Sequence, residues 1–350
     1  MICGGVIYVI LYNETYNQKY KKYKYNIYMT YTKLILSIIL LLGIGYCYNR
    51  WNDENNKDKS LIDYDLVRQY LFDEKTLGEV KKPILWIHIS YDINARKWEN
   101  FGSRNSYELN QPYLYLTIKS IINKCGDDFH ICLIDDRSIK KILPNWTIDL
   151  SSTASPVKEH LRKLALSKIL YNYGGLLVPA SFVCLNSFKN YYETLREDNM
   201  LVGEFTNRNG NINTDAKFYP NTRLMACRKE SATMQAFCNH LEHLNSTNYT
   251  NSYEFVDLEH TWCMDMLEKD NMILISAREL GVRDDDNNTI NIDRLMSNRY
   301  IQLCNNIIGL YIPADELLKR TAYNWFAYLS MEKVLTSDTL VGKYLLVSQE

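Results

Sequence analysis

Proline is scarce, at 7 residues in 350, and neither sign of charge is in excess: 40 lysines and arginines stand against 41 aspartates and glutamates, for a formal net charge of −1. That balance excludes the strongly basic surface that nucleic-acid binding by counterion release favours, so no nucleic-acid partner is expected. The nine cysteines include no CxxC pair. No Cys/His cluster has the spacing of a zinc site, so no metal is expected from that source. Several cysteines sit in apolar runs, as Cys132 does in Phe129-His130-Ile131-Cys132-Leu133-Ile134. A cysteine there behaves as a small core residue, and a disulfide framework is not expected. Also missing are the Gly-rich dinucleotide fingerprint, the Walker loop, HExxH and GxSxG, together with any internal repeat.

The composition that remains is that of a globular chain: 46% hydrophobic and 23% charged. A chain this long buries a sizeable core without staples. Its 28 tyrosines, with abundant Asn and Lys, match A/T-rich codon usage rather than a function.

One apolar run stands apart. Residues 34–48 read LILSIILLLGIGYCY, without a charge. With Tyr31 and Thr32 the run approaches the lower limit of about 17 residues for a spanning helix. Lys19, Lys21, Lys22, Lys24 and Lys33 precede it against Glu14 alone, whereas charges of both signs follow it. The positive-inside rule then predicts a signal anchor in the lipid bilayer, with the amino terminus cytosolic and the rest of the chain lumenal or on the virion side. A cleaved signal peptide would want a small-residue cleavage site, and none follows. A buried core helix is the other reading. Both Met1 and Met29 are candidate starts. The expected organisation is a cytosolic basic segment at 1–33, a transmembrane anchor at 34–48, a polar stem at 49–80 and one α/β domain at 81–350. Asn145, Asn245, Asn248 and Asn287 begin Asn-x-Ser/Thr sequons that a lumenal domain would expose to glycosylation.

Within that domain, strand-forming and helix-forming stretches alternate. Ile84 to Ile89 and Phe129 to Ile134 are short buried strands, with a helix from about Gln111 to Lys124 between them. A short helix is expected at Ser138 to Leu143. A long amphipathic helix opens at Pro156 and runs through Tyr173, where Gly174-Gly175 stops it. Leu176 to Leu185 is extended, and a helix at 187–197 precedes a strand at Met200 to Phe205. Further strands are expected at Arg223 to Cys227 and Met272 to Ile275, helices at 231–244 and 254–269, and a helical, aromatic-rich tail from Pro313. The alternation predicts a layered α/β fold with a mainly parallel sheet flanked by helices. Ligands of such sheets sit outside the carboxyl ends of the strands, where Asp135 and Asp136 fall.

The stretch Leu170-Tyr171-Asn172-Tyr173-Gly174-Gly175, with Trp86-Ile87-His88 and Leu133-Ile134-Asp135-Asp136, resembles the sugar-transferase family that includes α-1,4-galactosyltransferases and initiating mannosyltransferases. The resemblance spans roughly residues 83–205. It implies a type A glycosyltransferase fold, a nucleotide-sugar or glycan as ligand, and Mn²⁺ held by an Asp-x-Asp directly after the strand that follows the glycines, performing Lewis-acid work. It also implies an Asp and, three residues on, an Arg in the preceding helix. Counted from Gly174, those positions hold Lys163 and Leu166, and the Asp-x-Asp falls on Pro179-Ala180-Ser181. The scaffold therefore carries over and the metal carboxylates do not.

Asp135, Asp136 and the loop residue Arg96 are the nucleotide-binding candidates. The competing reading of the two aspartates is a strand-end turn with Asp136 capping the next helix. Trp98 and Arg104 belong to the same loop as Arg96. Asp63-Tyr64-Asp65 lies in the stem, and Asp284-Asp285-Asp286 is expected to be a solvated loop. His88 is expected to be a satisfied core residue, and His240, His243 and His260 lack an identifiable partner carboxylate. Two functions remain open: a membrane-anchored glycosyltransferase-like protein with a degenerate metal and nucleotide-sugar site, or a non-catalytic structural or binding membrane protein such as a virion component of a large DNA virus.

Overall fold

The structure is a computed structural model and describes residues 82–89, 111–143, 145–150, 152–206, 217–247, 252–320 and 322–349, with 32, 33, 35–37, 39–41 and 43–47. The chain divides into two compact units, Met1–Leu66 and Val67–Glu350. In the first, the described residues between 32 and 47 are helical and exposed. Among the described residues no helix is long and apolar enough to cross a membrane. Residues 34, 38, 42 and 48 of the expected anchor, and all of the expected stem at 49–80, lie outside the described residues.

The second unit opens with β1 (Ile84–His88), α1 (Tyr113–Cys125), β2 (His130–Ile134), α2 (Asp136–Ile142) and α3 (Val157–Tyr173). It continues through β3 (Gly175–Pro179), β4 (Phe182–Cys184), α4 (Lys189–Glu193), β5 (Met200–Thr206) and β6 (Phe218–Cys227). Then come α5 (Ala232–Thr247), α6 (Ser252–Glu268), β7 (Met272–Ile275), α7 (Ile292–Leu295) and β8 (Gly309–Tyr311). Four short helices close it: α8 (Ala314–Lys319), α9 (Asn324–Ala327), α10 (Met331–Leu335) and α11 (Leu340–Ser348).

Six strands form one sheet in the order β2-β1-β3-β6-β5-β7. β1 is parallel to β2 and β3, and β5 to β7, while β6 runs antiparallel to both its neighbours. The layered, mainly parallel α/β arrangement is therefore present, with one strand reversed. That strand starts at Phe218, earlier than its apolar run at Arg223 suggests, because its first half pairs with Gly203 to Thr206 across a register shift. A separate two-stranded antiparallel sheet joins β4 to β8. It splits the extended stretch after α3 in two at Ala180-Ser181.

The central strands are apolar on both faces, as strands covered on each side by helices must be. Trp86, Cys132, Leu177, Val202 and Met225 line one face and pack with Leu164 and Ile169 of α3, Phe237 of α5 and Phe255 of α6. A second cluster joins Tyr113 and Leu116 of α1 to Val183 of β4, Leu310 of β8 and the C-terminal helices through Phe326 and Leu345. Aromatics of the tail divide accordingly: Phe326 is buried, whereas Trp325 and Tyr328 are exposed.

The junction of α3 with β3 depends on both of its glycines. Gly174 has φ +70° and Gly175 φ +109°, backbone conformations that L side chains rarely adopt. A Cβ at Gly175 would strike the Ile84 carbonyl of the neighbouring strand, and one at Gly174 would lie 2.8 Å from the Lys229 nitrogen. Trp86 fixes the turn by donating its indole N–H to the Gly174 carbonyl at 2.9 Å. The Tyr-Gly-Gly pattern is therefore a packing requirement: the helix must stop and the chain must enter the sheet beside β1 without side chains.

Candidate functional site

The carboxyl ends of β1, β2 and β3 lie side by side, with His88 opposite Ile134 on one side and Pro179 on the other. Directly after β2, Asp135 adopts extended backbone and caps α2. Its Oδ1 accepts from the Ser138 backbone N–H at 2.7 Å and from the Ser138 hydroxyl at 2.5 Å, while Ser138 Oγ accepts from the Asp135 N–H at 3.3 Å. The reciprocal pattern is a capping box. The cap is thus Asp135, not Asp136 as the competing reading had it, because α2 begins at Asp136, two residues before the expected start at Ser138.

Asp136, freed from capping, faces α3. Arg162 donates Nε to Oδ1 at 2.8 Å and Nη2 to Oδ2 at 2.7 Å, a two-pronged pair with the geometry that suits guanidinium and carboxylate. His88 Nε2 lies 3.0 Å from Oδ1, and Lys158 Nζ 3.9 Å from Oδ2. Burial works to raise the Asp136 carboxyl, but Arg162 and His88 outweigh it and hold the group well below the usual carboxylate range. Burial likewise lowers His88, against the opposing pull of Asp136. The consistent state is a neutral imidazole donating to a carboxylate already neutralised by Arg162. His88 is a satisfied residue, as expected. The structure thus brings His88, Asp136, Arg162 and Lys158 together at the strand ends, with Asp135 next to them. Arg96, Trp98, Arg104, Asp63 and Asp65 lie outside the described residues.

At the end of β3, Pro179 and Ala180 are half-buried and Ser181 is buried. Thr117 of α1 donates its hydroxyl to the Ala180 carbonyl at 2.5 Å, and the Ile312 N–H donates to the Ser181 carbonyl at 3.1 Å. The segment is committed to fixing α1 and β8. A divalent ion of the Mn²⁺ type takes carboxylate, carbonyl and water oxygens. Here the side chains are a pyrrolidine ring, a methyl and one hydroxyl, with no carboxylate, and the Ala180 and Ser181 carbonyls each already accept one protein donor. These residues do not fit the ion that the resemblance implies. Among the described residues no group of three His, Cys, Asp or Glu side chains is placed to hold a metal.

The helix position implied to carry an Asp is also rebuilt. Lys163 of α3 pairs with Glu259 of α6, which accepts a further hydrogen bond from Thr222 of β6. Glu259 has no exposed surface, and although burial works to raise its carboxyl, Lys163 and Thr222 keep it below the ordinary range. Beside it, His260 stacks on Tyr219 with ring centroids 5.2 Å apart. Both of its ring nitrogens are buried without a hydrogen-bond partner among the described residues. Arg223 donates to the Tyr311 hydroxyl at 2.6 Å and lies 3.9 Å from Asp315. This cluster escaped sequence reasoning because Lys163 and Glu259 are 96 positions apart. One signal was available: Phe255, Glu259 and Cys263 recur every fourth residue, which sets a carboxylate within an apolar helical stripe.

Of the Asp284-Asp285-Asp286 run only Asp286 is exposed, as expected of a solvated loop; the other two are engaged. Asp284 is 3% exposed, accepts from Arg294 at 2.6 Å and from the Asn288 N–H at 2.7 Å, and so organises its own turn. Asp285 is taken by Arg278 at 2.5 Å.

No protein-family profile and no curated protein matches the sequence. Among solved structures, the chain is similar to the apo-form glycosyltransferase GlyE of Streptococcus pneumoniae TIGR4, with TM-score 0.33 and 12% identity over 56% of this chain and 46% of that one. The chain thus matches about half the length of GlyE. It is also similar to an active-site mutant of LgtC, with TM-score 0.32 and 11% identity over 56% of this chain and 73% of that one. For the galactosyltransferase LgtC in complex with donor and acceptor sugar analogs the TM-score is 0.29, with 12% identity over 56% and 74% of the two chains. Overlaps this partial leave the site to be read from the chain's own residues.

Proposed function

We propose that this chain is a glycosyltransferase-like protein with a degenerate donor site, held at a membrane by residues 34–48, that does not transfer sugar by the metal-dependent route. One observation carries the reading: the segment closing β3, where the resemblance implies two carboxylates, is Pro179-Ala180-Ser181 and spends its carbonyls on Thr117 and Ile312. Lys163, paired with Glu259, adds a second replacement by structure of what would be chemistry.

The ligand class proposed is a nucleotide-sugar or a glycan at the carboxyl ends of β1, β2 and β3. Asp135 and Asp136 border that edge, with Arg162 spent on Asp136 and Lys158 Nζ 3.9 Å from the same carboxylate. Arg96 is proposed as a further contact for the same ligand. Polar side chains at this edge are proposed to meet the hydroxyls of a sugar or glycan. The proposed topology keeps the amino terminus cytosolic and the domain lumenal or on the virion side, supported by the lysines before the apolar run and the mixed charges after it.

Calorimetric titration of the detergent-solubilised full chain with UDP- and GDP-sugars, with and without Mn²⁺, tests the reading alongside a sugar-transfer assay. The expected outcome is binding without a Mn²⁺-dependent component, and no transfer. Mn²⁺-dependent binding with transfer overturns it. Complete absence of nucleotide binding favours the second reading, a non-catalytic structural or binding membrane protein, to which the internally neutralised Lys163–Glu259 and Arg162–Asp136 pairs also point.

A further inference from the structure

One side of α1 is fastened to the segment after β3 at three levels. Thr117 Oγ1 donates to the Ala180 carbonyl at 2.5 Å. One turn on, Ser120 Oγ accepts from the Cys184 backbone N–H at 2.9 Å. At the end of the helix, Cys125 Sγ lies 3.7 Å from Cys184 Sγ, and neither cysteine has exposed surface. Free buried thiols are ordinary core residues. Two of them in sulfur-to-sulfur contact, on elements already tied by the hydrogen bond from the Cys184 N–H to the Ser120 hydroxyl, are in addition positioned to bond covalently.

We propose that Cys125 and Cys184 are a disulfide pair, joined in an oxidising environment by a low-molecular-weight disulfide such as oxidised glutathione. The inference goes beyond the transferase reading and does not rest on it. In the first step the Cys125 thiolate attacks one sulfur of the oxidant, forming a mixed disulfide and releasing one glutathione thiol. In the second, Cys184 attacks the Cys125 sulfur and displaces the other glutathione. Each protein thiol loses one hydrogen and the oxidant gains both.

Either thiol can attack first, and the product is the same. Contact with Cys184 holds the Cys125 thiol below its ordinary range, while burial pushes Cys184 up. A disulfide sets its sulfurs about 2.05 Å apart, so the present contact needs side-chain rotation and a small approach of the backbones. Burial means that the oxidant meets the thiols as α1 docks on β4 during folding, or in a local opening. Once formed, the bond is shielded from reductants by the same burial. Its effect would be to lock α1 against β4, three residues beyond Ser181, across 59 positions of sequence.

The test refolds the full chain in oxidised or in reduced glutathione, alkylates the remaining thiols and maps the peptides without reduction. The expected map after oxidising refolding links the Cys125 peptide to the Cys184 peptide, with Cys227, Cys238 and Cys263 alkylated once unfolded. The thermal midpoint should rise on oxidation, the rise being lost in Cys184→Ser and kept in Cys238→Ser. Alkylated Cys125 and Cys184 after oxidising refolding would overturn the proposal. So would a link from either to another cysteine, or a rise that persists in Cys184→Ser. The map of the unsubstituted chain decides the case even if a variant does not fold.

Discussion

Lys163 of α3 is ion-paired with the fully buried carboxylate of Glu259 on α6. Removing one partner strands the other: a buried unpaired carboxylate costs about 3–5 kcal/mol, whereas replacing both by apolar groups is close to neutral. Lys163→Met is therefore expected to lower the unfolding free energy by about that amount, and Lys163→Met with Glu259→Leu to recover most of it. Urea unfolding of the two variants checks this. A double variant no more stable than the single one would show that the pair is not the source of the loss.

Gly175→Ala should be among the most damaging small changes in the chain. Its φ of +109° and the Ile84 carbonyl in the path of a Cβ combine conformational strain with a clash. Together they amount to about 3 kcal/mol or more. Trp86→Phe, which loses the hydrogen bond to the Gly174 carbonyl and part of a buried ring, should cost about 1 kcal/mol plus the lost packing. Thermal unfolding of both variants gives the ranking, and an alanine tolerated at 175 would contradict the account of the turn.

Acidification should weaken the fold in two stages. His88 and His260 are each held below the ordinary histidine value of about 6.5, chiefly by burial. The unfolded chain then binds more protons than the folded one, so their contribution is fully present above pH 6.5 and is lost as pH falls below it. Asp136 and Glu259 are also held low, so their contribution persists to about pH 4 and is lost below that. Unfolding midpoints measured from pH 8 to pH 3 should fall in both windows. A flat profile between pH 7 and pH 5 would contradict the histidine assignment.

His260→Phe isolates one of these groups. Phenylalanine keeps a ring against Tyr219 and removes two buried nitrogens without a partner among the described residues. A buried polar atom without a partner costs about 1–3 kcal/mol, so the variant should be more stable by about 1 kcal/mol at neutral pH, with a shallower loss toward pH 5. Loss of stability would mean that His260 is paired through groups outside the described residues.

Local patterns carried most of the central fold. The strands at Ile84 and Phe129 are short apolar runs bounded by polar turns, and α3 is an amphipathic helix ended by Gly174, so each announces itself within its own few residues. β8 did not, because Gly309–Tyr311 is three residues long and takes its identity from pairing with Phe182–Cys184. At the site, Asp135 and Asp136 were legible as strand-end residues. Their division of labour was not, because it depends on Arg162 arriving from α3, 26 positions away. Lys163 could be seen to replace an implied Asp, but only the packing of α6 shows that it meets a carboxylate. The cysteines were legible as core residues, whereas the contact between Cys125 and Cys184 required α1 to be laid along β4.

The central claim is that the segment closing β3 gives a divalent ion nothing to hold. Electron paramagnetic resonance of Mn²⁺ titrated with the full chain and UDP tests it most directly, since protein-bound Mn²⁺ loses the sharp signal of the free ion. The account predicts the same signal loss as UDP alone produces. A further loss that saturates at one ion per chain, and disappears on substitution of Ser181 or of a carboxylate brought beside it, would contradict the account.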